Sequence, residues 1–277
     1  VGLYSQFSYK KMFSFWVQIL FYTISITFVF AIFSKSSVNL SDWLSALTPI
    51  SHGQYWYMSC YFGLVLIAPF LNQAVLTLKK EQLLPIVSGA FIYFSVIPTV
   101  FKQDILGLWG GYSVLWMILL YILGAIIRKS NYESRFQIRN VSGFILFLTS
   151  LTFILCWLGF EQWRSYISPT VTLQGIAIFL LFLNIKNLPL TFKKLVLLVS
   201  PLTLGVYLFH VHPLIFRRII PTIHTLVEEQ EFPIFVIMIL VMTLALFFSG
   251  AMIEYFRNKL MAYILTLIKS VKNLKQT

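Results

Sequence analysis

Charge is what this sequence has least of. Asp, Glu, Lys and Arg make up 11% of its 277 residues, where soluble domains carry roughly a quarter. A soluble fold needs polar residues to cover its surface, and with 58% hydrophobic residues too few remain. The mean hydropathy of +0.83 agrees, so the excess apolar area calls for lipid. Cysteine is nearly missing as well. Cys60 and Cys156 each lie inside an apolar run, which excludes the disulfide framework of a small secreted domain; both read as packing residues. No G-x-S-x-G motif is present, and no Cys/His or carboxylate cluster has metal-ligand spacing, so no metal is expected. No apolar run carries several acids or an acid–base chain, which speaks against an ion-coupled transporter.

What is there is a series of long apolar runs. A membrane-spanning helix needs about 20 largely apolar residues. Such runs occur at 12–33, 54–76, 83–100, 111–127, 141–159, 170–185, 195–216 and 232–254. The expected fold is therefore an all-α polytopic transmembrane helix bundle of about eight spans. The first run is too long for a signal-peptide core, and no small-residue cleavage site follows it.

The segments that connect the runs alternate in charge. One set holds Lys10, Lys11, Lys79, Lys80, Arg128, Lys129, Arg135, Arg139, Lys186, Lys193, Lys194, Arg257, Lys259, Lys269, Lys272 and Lys275, sixteen of the 21 basic residues. The other holds Lys35, Lys102, Arg164, Arg217 and Arg218, together with Asp42, Asp104, Glu161, Glu228, Glu229 and Glu231. Positive segments stay cytoplasmic, so both termini are expected inside. The formal charge of +12 then reports topology, and nucleic acid is not an expected partner. Two domains are expected: a helical bundle over 1–254 and a basic amphipathic tail over 255–277. In the tail, Leu260, Met261, Ile264, Leu267, Ile268 and Val271 recur near helical spacing, the pattern of a helix lying on anionic lipid.

Polar groups inside such a bundle are few, and therefore informative. Glu254 lies near the inner end of the last run and His210 and His212 late in the seventh. His210 follows Lys194 by 16 residues, about 24 Å along a helix, which puts it in the outer third of the bilayer. The two histidines are about 200° apart on a regular helix, so one pocket cannot receive both unless Pro213 distorts the turn. His210 shares a face with Tyr207 and Leu214 and is the expected catalytic residue. A neutral imidazole can take the proton of a sugar hydroxyl as that hydroxyl attacks an acyl carbonyl. Trp56 and Tyr57 open the second run, either as part of an interfacial aromatic belt or as surfaces for stacking on a sugar ring. His52 and His224 fall in outer segments and read as solvated loop residues.

Three segments in order resemble the membrane-bound acyltransferase family 3, especially its bacterial surface-polysaccharide O-acetyltransferases. YWYMSCYFGLVLIAPFLN at 55–72 is similar to the family's aromatic pair, tyrosine and closing proline–leucine–asparagine run. GYSVLWMILLYILGAIIRK at 111–129 looks like its Gly-Tyr-Ser start and Tyr-x-x-Gly…Arg-Lys exit. SPLTLGVYLFHVHPLIFRR at 200–218 is close to its Tyr-Leu-x-His near-terminal helix, and Glu254 falls where many members carry a glutamate.

The resemblance implies transfer of an acetyl group from acetyl-CoA, as co-substrate, to a hydroxyl of a polysaccharide or lipid-linked glycan in a bacterial plasma membrane. It implies that Lys10, Lys11, Arg128 and Lys129 meet the CoA phosphates, since phosphates attract Arg and Lys. The glycan side would be Gln54, which stands where many members carry His, with Trp56, Tyr57, Tyr207, His212 and Arg217. Arg217 would hold a sugar or carboxylate at the outer rim, or snorkel there. The family has a further pair of spans before those read here, one carrying a histidine thought to be the base, with an arginine before it. The chain starts at Val1 and offers no counterpart, so the expectation is a chain inactive by itself, with His210 then positioning substrate or donating to the transition state. A non-enzymatic polysaccharide exporter is the alternative, but it would line its cavity with charged groups that are scarce here. A glycan polymerase would need a long Arg-rich outer loop, and the outer segments are short.

Overall fold

The computed structural model describes residues 3, 8–34, 38–104, 106–130, 137–185, 187–228 and 230–274. Lys35, Arg135, Lys186, Glu229 and Lys275 of the charge pattern lie outside the described residues. Among the described residues every regular element is helical. The elements are α1 Tyr9–Phe33, α2 Leu40–Leu47, α3 Trp56–Thr77, α4 Lys80–Phe91, α5 Ile97–Phe101, α6 Val114–Lys129, α7 Ile138–Trp157, α8 Pro169–Asn184, α9 Leu190–Val199, α10 Thr203–His210, α11 Pro213–Glu228 and α12 Phe232–Leu274.

Seven helical stretches among the described residues are long and apolar enough to cross a membrane. They answer to seven of the eight expected runs, and the chain is a multi-pass helix bundle. The eighth run, 111–127, forms α6, which has only 16 residues. Its outer end is cut back because Gly110 and Gly111 take positive φ and Ser113 caps the helix, accepting from the Trp116 N–H. At about 1.5 Å per residue it reaches about 24 Å, short of a hydrocarbon core of about 30 Å. The seventh run also ends early: α10 stops at His210 and Pro213 starts a new helix. No break falls at the expected boundary between 254 and 255, because α12 runs unbroken for 43 residues.

The chain divides into two compact units: Val1–Tyr9 with Trp56–Leu188, and Lys10–Tyr55 with Pro189–Thr277. Within the first, Val75, Leu83, Val87, Leu108, Trp116, Leu119 and Ile126 form a buried apolar core. Polar ties sit at its edge. The Tyr121 hydroxyl donates to Asn72 Oδ1 at 2.5 Å, joining α6 to α3. Lys129 Nζ lies 2.6, 3.2 and 2.7 Å from the carbonyls of Val75, Leu76 and Leu78. A helix leaves its last carbonyls unpaired, and this ammonium satisfies them for α3.

Within the second unit, α1 turns one face inward through Ile19, Tyr22, Thr23 and Thr27, the spacing of a helix stripe. Thr23 Oγ1 donates to the Ala46 carbonyl at the end of α2. Glu254 of α12 is 1% exposed. Its Oε1 accepts from Gln18 Nε2 at 3.0 Å and Arg257 Nη2 at 2.6 Å, and its Oε2 from the Tyr22 hydroxyl and Arg257 Nε at 2.9 and 2.8 Å. A buried carboxylate persists only when so met. Gly205 of α10 lets this happen, since a Cβ there would overlap the Tyr22 hydroxyl and Glu254 Cβ.

Gly205→Ala is therefore expected to destabilise the protein by about 1–3 kcal/mol through overpacking, read as a lower Tm in detergent. Gly124→Ala on α6, where a new Cβ meets nothing within 4 Å, should leave Tm unchanged or slightly raised. Equal Tm values for both variants would contradict this packing.

Candidate functional site

The second unit holds the chain's two neighbouring histidines, and the backbone sets each ring differently. His210 is the last residue of α10. Its Nδ1 lies 2.8 Å from the Val206 carbonyl one turn back. A carbonyl can only accept, so Nδ1 carries the proton and the neutral ring presents a bare Nε2. That nitrogen is the one able to take a proton.

His212 is the reverse. Pro213 is the first residue of α11 and has no N–H to satisfy. His212 precedes it as the cap, and its Nδ1 accepts from the Leu214 N–H at 3.2 Å. A backbone N–H can only donate, so the ring proton of neutral His212 is on Nε2. The imidazole is 0% exposed. The Tyr55 ring packs against it edge-on with centroids 6.3 Å apart, and the Thr23 backbone is its neighbour on α1. Its Nε2 meets no acceptor within strict hydrogen-bond geometry, but the Thr23 backbone is close enough to act on the ring as an acceptor.

Two further buried oxygens in this unit lack partners, Gln54 Oε1 and Thr27 Oγ1. Gln54 adjoins Tyr55 in the chain, and Thr27 is one turn from Thr23 on the buried face of α1. Buried polar groups normally pair, and leaving one unpaired costs about 1–3 kcal/mol. These groups give the second unit a polar interior. Tyr55 organises it. Its hydroxyl donates to the Leu208 carbonyl at 2.8 Å, and its ring packs against Tyr207 at 6.1 Å and against His212. Tyr207 in turn faces His210 at 6.0 Å.

Of the expected residues, Gln54, Tyr207, His210 and His212 thus belong to one unit and to one neighbourhood around Tyr55. Arg217 is on α11 a turn beyond the histidines and is exposed. Trp56 and Tyr57 belong to the first unit, where their rings pack T-shaped at 5.7 Å. Lys10, Lys11 and Arg128 are exposed. Lys129 has three donor protons and three backbone carbonyls within reach, so it has little left for a phosphate. The ranking of the histidines changes as well. His210 is half-buried, while His212 is the fully enclosed ring, because the helix on which their faces were compared ends at His210.

Tyr55, Thr23 and Thr27 were not singled out from the sequence. Two threonines four residues apart in an apolar run put hydroxyls on one helix face, and that was the available signal. Nothing local distinguishes Tyr55 from the aromatics after it.

Comparison with known protein families matches the chain to an acyltransferase domain over residues 3–265. Neither curated proteins nor solved structures give a match. The match covers nearly the whole chain, both units included, and takes in the three segments whose order pointed to the same family. The chain belongs to the membrane-bound acyltransferase family 3 and is a multi-pass membrane acyltransferase.

Proposed function

We propose that the protein transfers an acetyl group from acetyl-CoA to a hydroxyl of a cell-surface polysaccharide or its lipid-linked precursor, in a bacterial plasma membrane. The observation that carries this reading is that Nδ1 of His210 faces a carbonyl while Nδ1 of His212 faces a backbone N–H, beside Tyr55 and Tyr207. Acyl transfer to a hydroxyl needs one group to take a proton and another to donate to the carbonyl oxygen as it gains charge. His210 Nε2 suits the first role and His212 Nε2–H the second.

The sugar oxygen bonds to the thioester carbon, and the hydroxyl proton passes to His210 Nε2. The carbon–sulfur bond then breaks, and the same proton leaves with the CoA thiolate. Burial of His212 makes its donation stronger than it would be in water. Lys10 and Lys11, at the start of α1, and Arg128, near the end of α6, are the cations offered to the CoA phosphates. Gln54 and Arg217 offer hydrogen bonds to the glycan, and Trp56 and Tyr57 offer it ring faces.

His210→Ala should lower the acetylation rate by about 10²-fold or more, the usual worth of a general base. His212→Asn keeps an acceptor for the α11 cap but loses the Nε2 donor, and a loss of about 10²-fold is expected. Both are read by NMR of O-acetyl groups on glycan from cells expressing the full-length gene product. Wild-type acetylation in either variant overturns the role given to that residue.

Neutralising Lys10, Lys11 or Arg128 to Gln should raise the KM for acetyl-CoA by about tenfold with kcat unchanged, the mark of lost uniform binding. Lys129→Gln should lower Tm in detergent instead and leave that KM alone, because its protons go to the end of α3. A KM effect at Lys129 without a Tm effect would reverse the assignment.

A further inference from the structure

The first unit contains a cleft that the proposed chemistry does not use. It has a volume of about 490 Å³ and is lined by Gly110, Tyr112, Glu161, Gln162, Arg164 and Tyr166 among others. That lies within the range of small-ligand clefts, about 300–1,000 Å³. The Tyr112 and Tyr166 rings meet at 5.4 Å, and Trp56 braces both at 4.4 and 5.8 Å. Yet Tyr112 and Tyr166 remain 48% and 51% exposed.

These rings are held, not hung. Both Asp104 carboxylate oxygens accept backbone N–H groups, from Leu108 at 2.6 Å and Trp109 at 2.5 Å. They lock a loop in which Gly107, Trp109, Gly110 and Gly111 all have positive φ. At Trp109 that conformation is strained for a residue with a side chain. At Gly111 (φ +108) a Cβ would come within 2.6 Å of Tyr166 Cβ, so the two loops meet too closely for any other residue. The segment bearing Tyr166 is pinned from beneath. Ser95 Oγ donates to the Ile167 carbonyl at 2.5 Å and the Ser168 N–H to the Ser165 carbonyl at 3.0 Å, while Thr172 Oγ1 donates its one proton to the Ser168 carbonyl at 2.8 Å. An interfacial aromatic belt needs no such scaffolding. Trp157, 78% exposed at the end of α7, is what a belt residue looks like.

The polar part of the cleft carries no net charge. Glu161 and Arg164 pair with each other at 3.0 Å, and the carboxylate of Asp104 is occupied by the backbone. The pair still offers acceptor lone pairs and spare guanidinium N–H groups, and Gln162 adds an amide. Ring faces flanked by planar donors and acceptors fit a saturated ring with one C–H face and a rim of hydroxyls. We propose that this cleft seats a pyranose ring of a neutral sugar, its C–H face on one of the Tyr112 and Tyr166 rings, which stand 73° apart, and its edge against the other, with Glu161, Gln162 and Arg164 meeting its hydroxyls. This deepens the glycan-acceptor reading and rests on it for the ligand's role, not for the binding itself.

The test is saturation-transfer NMR on the full-length protein in lipid nanodiscs, with neutral trisaccharides of gluco, galacto and manno configuration and with oligogalacturonate. At least one neutral trisaccharide should receive saturation on its ring C–H protons. Tyr112→Ala with Tyr166→Ala should weaken its binding by about tenfold. Tyr112→Phe with Tyr166→Phe keeps the ring faces and should stay within about twofold. The Phe variant also shows that any loss is not misfolding, and Trp157→Ala should change nothing. No transfer to any neutral trisaccharide, unchanged binding in the double Ala variant, or tighter binding of oligogalacturonate overturns the proposal. The O-acetyl measurement reads separately. Lost acetylation in the histidine variants alongside unaffected sugar binding in the double Ala variant sinks the cleft alone. Intact sugar binding with no gene-dependent acetyl groups sinks the acceptor reading and leaves the cleft standing.

Discussion

A carboxylate in an apolar bundle has to be met by donors, and how Glu254 is met organises the second unit. Four hydrogen bonds reach its two oxygens, from Gln18 and Tyr22 on α1 and from Arg257 one turn along α12. Removing any of them would leave charge or polarity stranded where water cannot replace it. The network therefore fixes the rotation of α1 about its own axis. That rotation turns Thr23 and Thr27 inward together with Tyr22, and Thr23 is the residue beside His212. It also demands a glycine at 205 on α10, the helix that ends in His210. The histidines are thus placed by a polar contact that takes no part in the proposed chemistry.

Their complementary chemistry follows from chain geometry as well. His210 ends a helix and turns Nδ1 back onto a carbonyl; His212 begins the next and turns Nδ1 onto an N–H. One proline, at 213, creates both situations. Two identical side chains two residues apart are thereby given opposite hydrogen-bonding character.

Much of the fold was legible in the apolar runs, because they report on lipid and not on partners. Helix ends were less legible. The shortening of α6 depends on glycine torsions at 110 and 111, which composition alone does not disclose. The family was legible from three ordered segments, and the structure joins two of them: Asn72 closes the first, Tyr121 lies in the second, and the Tyr121 hydroxyl donates to Asn72 across α3 and α6. Side-chain placement was less legible: Tyr207, His210 and His212 pack around Tyr55, but a comparison of helix faces takes for granted a helix continuing through Val211, and α10 ends at His210. At Lys129 the sequence shows a charge but not the carbonyls of Val75, Leu76 and Leu78 that meet it. The two units are each discontinuous in sequence, so no linker announces them.

The length of α12 has a mechanical consequence. From Glu254 to Leu274 it continues as one helix, an arm of about 30 Å beyond the buried carboxylate. Such an arm bends little without breaking backbone hydrogen bonds. A tilt of about 5° at its root would swing its far end by about 2.6 Å over that length. Conversely, a force on the far end arrives at Glu254 as torque on the contact that holds α1. The last helix is a lever whose fulcrum is a buried carboxylate.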